Sequence, residues 1–237
     1  VYSKSKLIEV LGPNMAAGTV VKELEKLQML TQPRAPGDEP PTDDLVVVFL
    51  ETHMLRFGQE TDAPLLAITS DTSTEISPPS PSVNAQQLAD ILGEIADYGS
   101  TVLLLVDGVH KLDPKLGSSR IDEWIRVLND RGVAVVTATF NGQVSRDARP
   151  DELGDMKGAF AQAVSVVLDN ESRSLYPHSD REPYTILDFQ RALEALVESQ
   201  TASQQIPGVF LPDTMLPTRP LLHPRPSVAA ERGSTDR

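Results

Sequence analysis

Cysteine is absent from the 237 residues. Disulfides, thiolate metal sites and cysteine nucleophiles are thereby excluded together. Basic residues are also scarce: 21 Lys and Arg stand against 34 Asp and Glu, a net charge of −13. Phosphate backbones need a surplus of Lys and Arg on one face, so nucleic acid is not an expected partner. An anionic membrane surface is disfavoured for the same reason. No run approaches the roughly 18 to 20 apolar residues that span a bilayer. The first residues lack the basic-then-apolar profile of a secretion signal, and the expected location is the cytoplasm. No G-x-x-x-x-G-K-[ST] loop occurs, and no G-x-G-x-x-G follows a strand, so no nucleotide cofactor is expected. A G-x-S-x-G elbow to present a serine nucleophile is missing too.

What is present suits one α/β domain with a tail. Apolar residues make up 40 % of the chain, enough for a sizeable core. Between Met15 and Leu30 the residues Val20, Val21, Leu24 and Leu27 recur at helical spacing, and Asn14 is positioned to cap that helix. Pro33, Pro36, Gly37, Pro40 and Pro41 then interrupt the chain. The unbroken apolar runs 45–50 and 102–106, the second within a strand expected over 101–106, read as strands buried on both faces, as in a parallel sheet. A further strand is expected at 133–139, and Leu65 to Ile68 is a shorter candidate. Helices are expected from Asn84 to Tyr98, from Ser119 to Asp130, and near 157–169 and 185–199. Strands alternating with amphipathic helices predict a three-layer α/β/α sandwich around a mostly parallel sheet. The lone Trp124 lies on the 119–130 helix with Ile121, Ile125 and Leu128, and is expected as a core or interface anchor. Five prolines and no periodic stripe follow Leu211, so the chain divides into a domain over 1–211 and a disordered tail over 212–237.

Ligands in such sheets bind beyond the carboxyl ends of the strands. Those ends carry Glu51-Thr52-His53 and Asp107-Gly108-Val109-His110. His53 and His110 with Asp107 or Asp71 could approach a zinc-like ligand set, but the spacing matches no metal motif, and surface histidines on loops are the expectation. Asp107 stands where an aspartyl phosphate acceptor would. A carboxylate hydrogen-bonded to loop amides is the preferred reading.

The order of motifs resembles the caspase-like cysteine peptidases, in particular bacterial caspase and metacaspase domains. The matching residues are Ala35-Pro36-Gly37-Asp38, then Val46 to Met54, then Leu103 to His110, then Val135-Val136-Thr137-Ala138-Thr139. Lys157-Gly158-Ala159-Phe160-Ala161-Gln162-Ala163 and Gln204-Gln205-Ile206-Pro207 follow in the family's order. The resemblance runs from about residue 14 to 212 and implies a caspase-like sheet. It puts the family's catalytic histidine on His53 and its nucleophile on Val109. Asp107 matches the acidic residue that helps basic-specific members hold an Arg or Lys.

The departures decide the reading. Valine has nothing to deprotonate, so His53 is a base with no nucleophile to serve. Met54 replaces the glycine after the histidine, and its bulk is expected to crowd the scissile carbonyl. Lys111-Leu112 replaces the Ser-Gly after the cysteine. The family's first strand and helix have no counterpart, and with Val1 in place of Met this suggests a fragment or a processed chain. The resemblance thus implies a pseudopeptidase that serves as an interaction or scaffold module for a protein or peptide partner. Two alternatives stand beside it. One is an endopeptidase using a substitute nucleophile, with Thr52, Ser118 and Ser119 as the nearby hydroxyls, or a catalytic partner. The other is a non-cleaving peptide binder in which Asp107 still captures a basic side chain.

Overall fold

The structure, a computed structural model, describes residues 15–32, 44–56, 65–73, 80–109, 121–139, 158–168 and 184–222. In chain order the elements are helix α1 (Ala17–Thr31), strands β1 (Leu45–Arg56), β2 (Leu65–Ala67) and β3 (Val83–Asn84), and helix α2 (Ala85–Asp97). Strand β4 (Thr101–Val109), helix α3 (Ile121–Asn129), strand β5 (Ala134–Thr137) and helix α4 (Ala159–Leu168) come next. Strand β6 (Tyr184–Thr185), helix α5 (Ile186–Thr201), β7 (Gly208–Phe210) and β8 (Pro220–Leu222) complete the described chain.

The main sheet runs β3-β2-β1-β4-β5-β7. Its body is mostly parallel: β1 with β4 and β4 with β5 are parallel, and β7 closes one edge antiparallel to β5. The three apolar runs read as strands are therefore the three central neighbours. Alternate residues of β4 divide between two cores. Val102, Leu104 and Val106 join a cluster with Leu24, Leu88, Leu92, Trp124 and Leu128 from α1, α2 and α3. Leu103 and Leu105 join a second cluster with Phe160, Val164, Phe189 and Leu193 from α4 and α5. A strand apolar at every position is what burial on two sides requires. Trp124, only 1 % exposed, is a core anchor.

Both β1 and β4 outrun the expected strands. Glu51-Thr52-His53 and Asp107-Gly108-Val109 are not loops after strands but paired rungs of the ladder. The cause is β2, which pairs antiparallel with Met54, Leu55 and Arg56 and gives the extended β1 backbone partners beyond β4.

Helix α2 starts as its sequence dictates. Asn84 Oδ1 accepts from the Gln87 amide at 2.9 Å, and Gln87 Oε1 accepts from the Asn84 amide at 3.1 Å. Helix α1 does not. Its N-cap residue is Ala16, which has no side-chain cap. Asn14, the expected cap, lies outside the described residues. Instead Asp71 Oδ1 accepts from the Ala17 amide at 3.0 Å and from Thr69 Oγ1 at 2.7 Å. The Ala17 amide, then the Thr69 hydroxyl, hold the Asp71 carboxyl below its usual 3.8. A depressed folded pKa stabilises the fold above the unfolded value, and that contribution is lost as pH falls through the folded one. Asp71→Ala is expected to cost about 1 kcal/mol in denaturant unfolding at neutral pH. The smaller gap between wild type and Asp71→Asn should close as pH drops below 3.8, and shrink in high salt because Asp71 is exposed.

Residues 212–222, expected to lie in a disordered tail, are folded. Met215 and Leu221 are buried in the second core, and β8 pairs antiparallel with β6. The segment also serves α5. The Ile186 amide donates to the Arg219 carbonyl at 3.1 Å and the Leu187 amide to the Pro217 carbonyl at 2.9 Å. Asp188 completes the turn in a capping box with Thr185. Three first-turn amides that a bare helix leaves unpaired thus have acceptors. The remainder of the expected tail, residues 223–237, lies outside the described residues.

Candidate functional site

The ladder between β1 and β4 is unbroken from Leu45 opposite Thr101 to His53 opposite Val109. Its last three rungs are Glu51 with Asp107, Thr52 with Gly108 and His53 with Val109. The residues singled out by the strand-end argument are therefore cross-strand neighbours at the carboxyl edge of the parallel sheet. Parallel partners lie about 4.8 Å apart. His53 and Val109 are thus register partners, and valine has no ionisable or nucleophilic atom.

Asp107 is buried, 3 % exposed. It lies at the start of α4: a Cβ built on Gly158 would stand 3.3 Å from Asp107 Oδ2. A side chain at 158 would press on the carboxylate, which explains a glycine there. The amino end of a helix carries partial positive charge, so the placement suits a carboxylate. Two residues on, Phe160 is fully buried and stacks on Phe49 of β1, with ring centroids 6.1 Å apart and planes 21° from parallel. The β5 end completes this corner. The Ala138 amide donates to the Val106 carbonyl at 2.9 Å, and buried Gln205 donates from Nε2 to the Ala138 carbonyl at 2.8 Å. Segments far apart in the chain, around 49, 107, 138, 158 and 205, meet at one end of the sheet.

Other expectations divide. Met54 does not crowd the carboxyl edge. It is 4 % exposed and packs in the core with Val46 and Leu50, opposite Ala67 of β2. Strand alternation sends residues 46, 50 and 54 to one side, and continuation of β1 past residue 50 carries that pattern to Met54. Thr52 donates through Oγ1 to the Ile68 carbonyl, a structural hydrogen bond to the segment after β2. Asp71 serves α1. His110, Lys111, Leu112, Ser118 and Ser119 lie outside the described residues. Among the described residues no group of three or more His, Cys, Asp or Glu could hold a metal ion. No described helix is long and apolar enough to cross a membrane.

Sequence reasoning missed the Gly158–Asp107 contact. Both residues sat in quoted motifs, but nothing in their 51-residue separation says that they touch. It also missed a cleft of about 730 Å3 at the opposite end of the sheet, drawn from the carboxyl ends of α2 and α3 and from the segment after β7. No protein-family model matches the sequence, and no curated protein is detectably similar to it.

Proposed function

We infer that this chain is a caspase-like pseudopeptidase: a three-layer α/β/α sandwich that lacks covalent peptide hydrolysis and acts as an interaction or scaffold module for a protein or peptide partner. The observation that carries the reading is the register of β1 on β4, which sets His53 directly across from Val109. In a cysteine peptidase of this kind the base and the thiol must come within proton-transfer reach from neighbouring strands. Here the strands are neighbours and the thiol position holds a hydrocarbon. The meeting of Phe49, Asp107, Gly158 and Phe160 in one corner supports the same alignment.

Asp107 belongs to the architecture in this reading. Its burial against the start of α4 favours holding that helix over capturing a basic side chain from solution. The peptide-capturing alternative is correspondingly weaker.

The test is hydrolysis of fluorogenic peptides ending in Arg, Lys or Asp at the cleaved position. Loss of a nucleophile typically costs about a millionfold in kcat, so turnover is expected at background. Val109→Cys is expected to restore trace activity at most, because Lys111-Leu112 stands where active caspase-like peptidases carry Ser-Gly. Hydrolysis by the unmodified chain that survives repurification and responds to inhibitor would overturn the proposal in favour of an enzyme with a substitute nucleophile.

A further inference from the structure

The cleft of about 730 Å3 lies at the amino ends of β4 and β5, the end of the sheet remote from His53 and Val109. Its volume falls within the roughly 300–1,000 Å3 of sites that take small ligands. Its lining carries both signs of charge. Arg126 and Arg219 line it, and neither has an ion-pair partner among the described residues. Asp130 and Asp213 line it too. Two helix carboxyl ends, those of α2 and α3, close on the same space and add partial negative charge.

Arg131 is set in the wall. A Cβ on Gly93 would lie 2.8 Å from both its Cβ and its Nε, so glycine leaves room for the arginine to lie against α2. Its guanidinium reaches Asp97 at 3.5 Å.

The wall also contains buried polar atoms with no hydrogen-bond partner among the described residues. Ser100 is 5 % exposed, and its Oγ has no hydrogen-bond partner among the described residues. Asn129 donates from Nδ2 to the Leu211 carbonyl at 3.4 Å, and its buried Oδ1 has no donor among the described residues. Unsatisfied buried groups are rare in folded proteins and call for an explanation.

We propose that this cleft binds a small zwitterion, with the chemistry of a free amino acid or of a short peptide carrying both free ends. Arg126 and Arg219 take the carboxylate, in the planar forked geometry that guanidinium offers. Asp130, Asp213 and the two helix carboxyl ends take the ammonium. A small shift of the wall opens Asn129 Oδ1 and Ser100 Oγ, both closed to solvent in the free protein, to the N–H groups and polar backbone of the ligand. The site is separate from the His53–Val109 pair and does not rest on the pseudopeptidase reading.

The experiment titrates triglycine and free glycine, each followed by amide NMR shifts and calorimetry. Triglycine, which fits the volume better, is expected to bind with a Kd at or below roughly 1 mM. Shifts should centre on residues 96–100 and 129–132 and spare 51–54 and 107–109. N-acetylated and C-amidated triglycine should each bind at least about tenfold more weakly. So should triglycine to the Arg126→Gln/Arg219→Gln double variant. Ser100→Ala should leave the free protein as stable or more so, since it deletes an unpaired buried hydroxyl, while weakening the ligand. Tighter binding of glycine than of triglycine would identify the amino acid as the ligand and uphold the site. A solvent-filled cleft, with no saturable shifts below about 10 mM, overturns the proposal. Binding indifferent to blocked ends, or unchanged in the double arginine variant, overturns it equally.

Discussion

A chain ending at Leu211 will fail to show the cooperative unfolding transition of the full chain. The truncation removes the buried side chains Met215 and Leu221 and the strand that pairs with β6. It also strips the carbonyl acceptors from the Ile186 and Leu187 amides at the start of α5. Leu221→Ala alone should cost roughly 2–5 kcal/mol, the usual range for emptying a fully buried leucine site. The whole segment contributes more, on a scale comparable with the roughly 5–15 kcal/mol that holds an ordinary domain together. Thermal and urea melts of the two variants measure this. Hydrogen exchange gives an independent check: the Arg219 amide, which donates to the Leu216 carbonyl at 2.9 Å, should exchange no faster than opening of the second core allows. A Leu211-terminated chain with wild-type stability would show that 212–222 merely rests on the domain.

Met54→Gly will destabilise the protein and add nothing to peptide hydrolysis. If residue 54 blocked a substrate carbonyl, glycine there combined with Val109→Cys would improve turnover. The buried position of Met54 reverses that expectation. Truncating a core methionine costs roughly 2–5 kcal/mol, and glycine inside a strand adds about 0.5–1 kcal/mol through backbone entropy. The double variant should therefore melt well below Val109→Cys and hydrolyse no more. Denaturant melts together with the fluorogenic assay decide it. Higher turnover in the double variant, at whatever stability, would return Met54 to the rim of the site.

The parts of the fold readable from sequence were those in which a single segment carries its own signal. Continuous apolar runs identified β1, β4 and β5 because burial on both faces demands that pattern. Asn84 marked the start of α2, and the structure completes a capping box with Gln87 within the same turn. Where an interaction joins distant segments, no local pattern exists. The cap of α1 is an aspartate in another loop, and the extension of β1 through His53 depends on β2. The segment 212–222 lacks periodicity because it is held by two single anchors, Met215 and Leu221, and by backbone hydrogen bonds that any sequence can make. At the candidate site, strand order and register put His53 and Val109 together as the strand-end argument required. The burial of Asp107 beneath α4 is a tertiary fact with no local trace. Arg126 stands on α3 with nothing in its own helix to mark a cleft. Only the return of the chain past residue 211 makes it a wall of the cleft.

The borrowed cap of α1 also orders events during synthesis. Asp71 stands 54 residues after the amide that it caps, so at about 5–20 residues per second the ribosome needs roughly 3 to 11 s to supply it. A 15-residue helix is marginal by itself. Through that interval α1 has neither its cap nor the α2 and β4 surfaces on which Leu24 packs, and Met29 and Leu30 at its far end stay exposed even in the finished fold. The nascent chain therefore presents an uncommitted amphipathic helix to its surroundings for seconds, and chaperone capture has its window there.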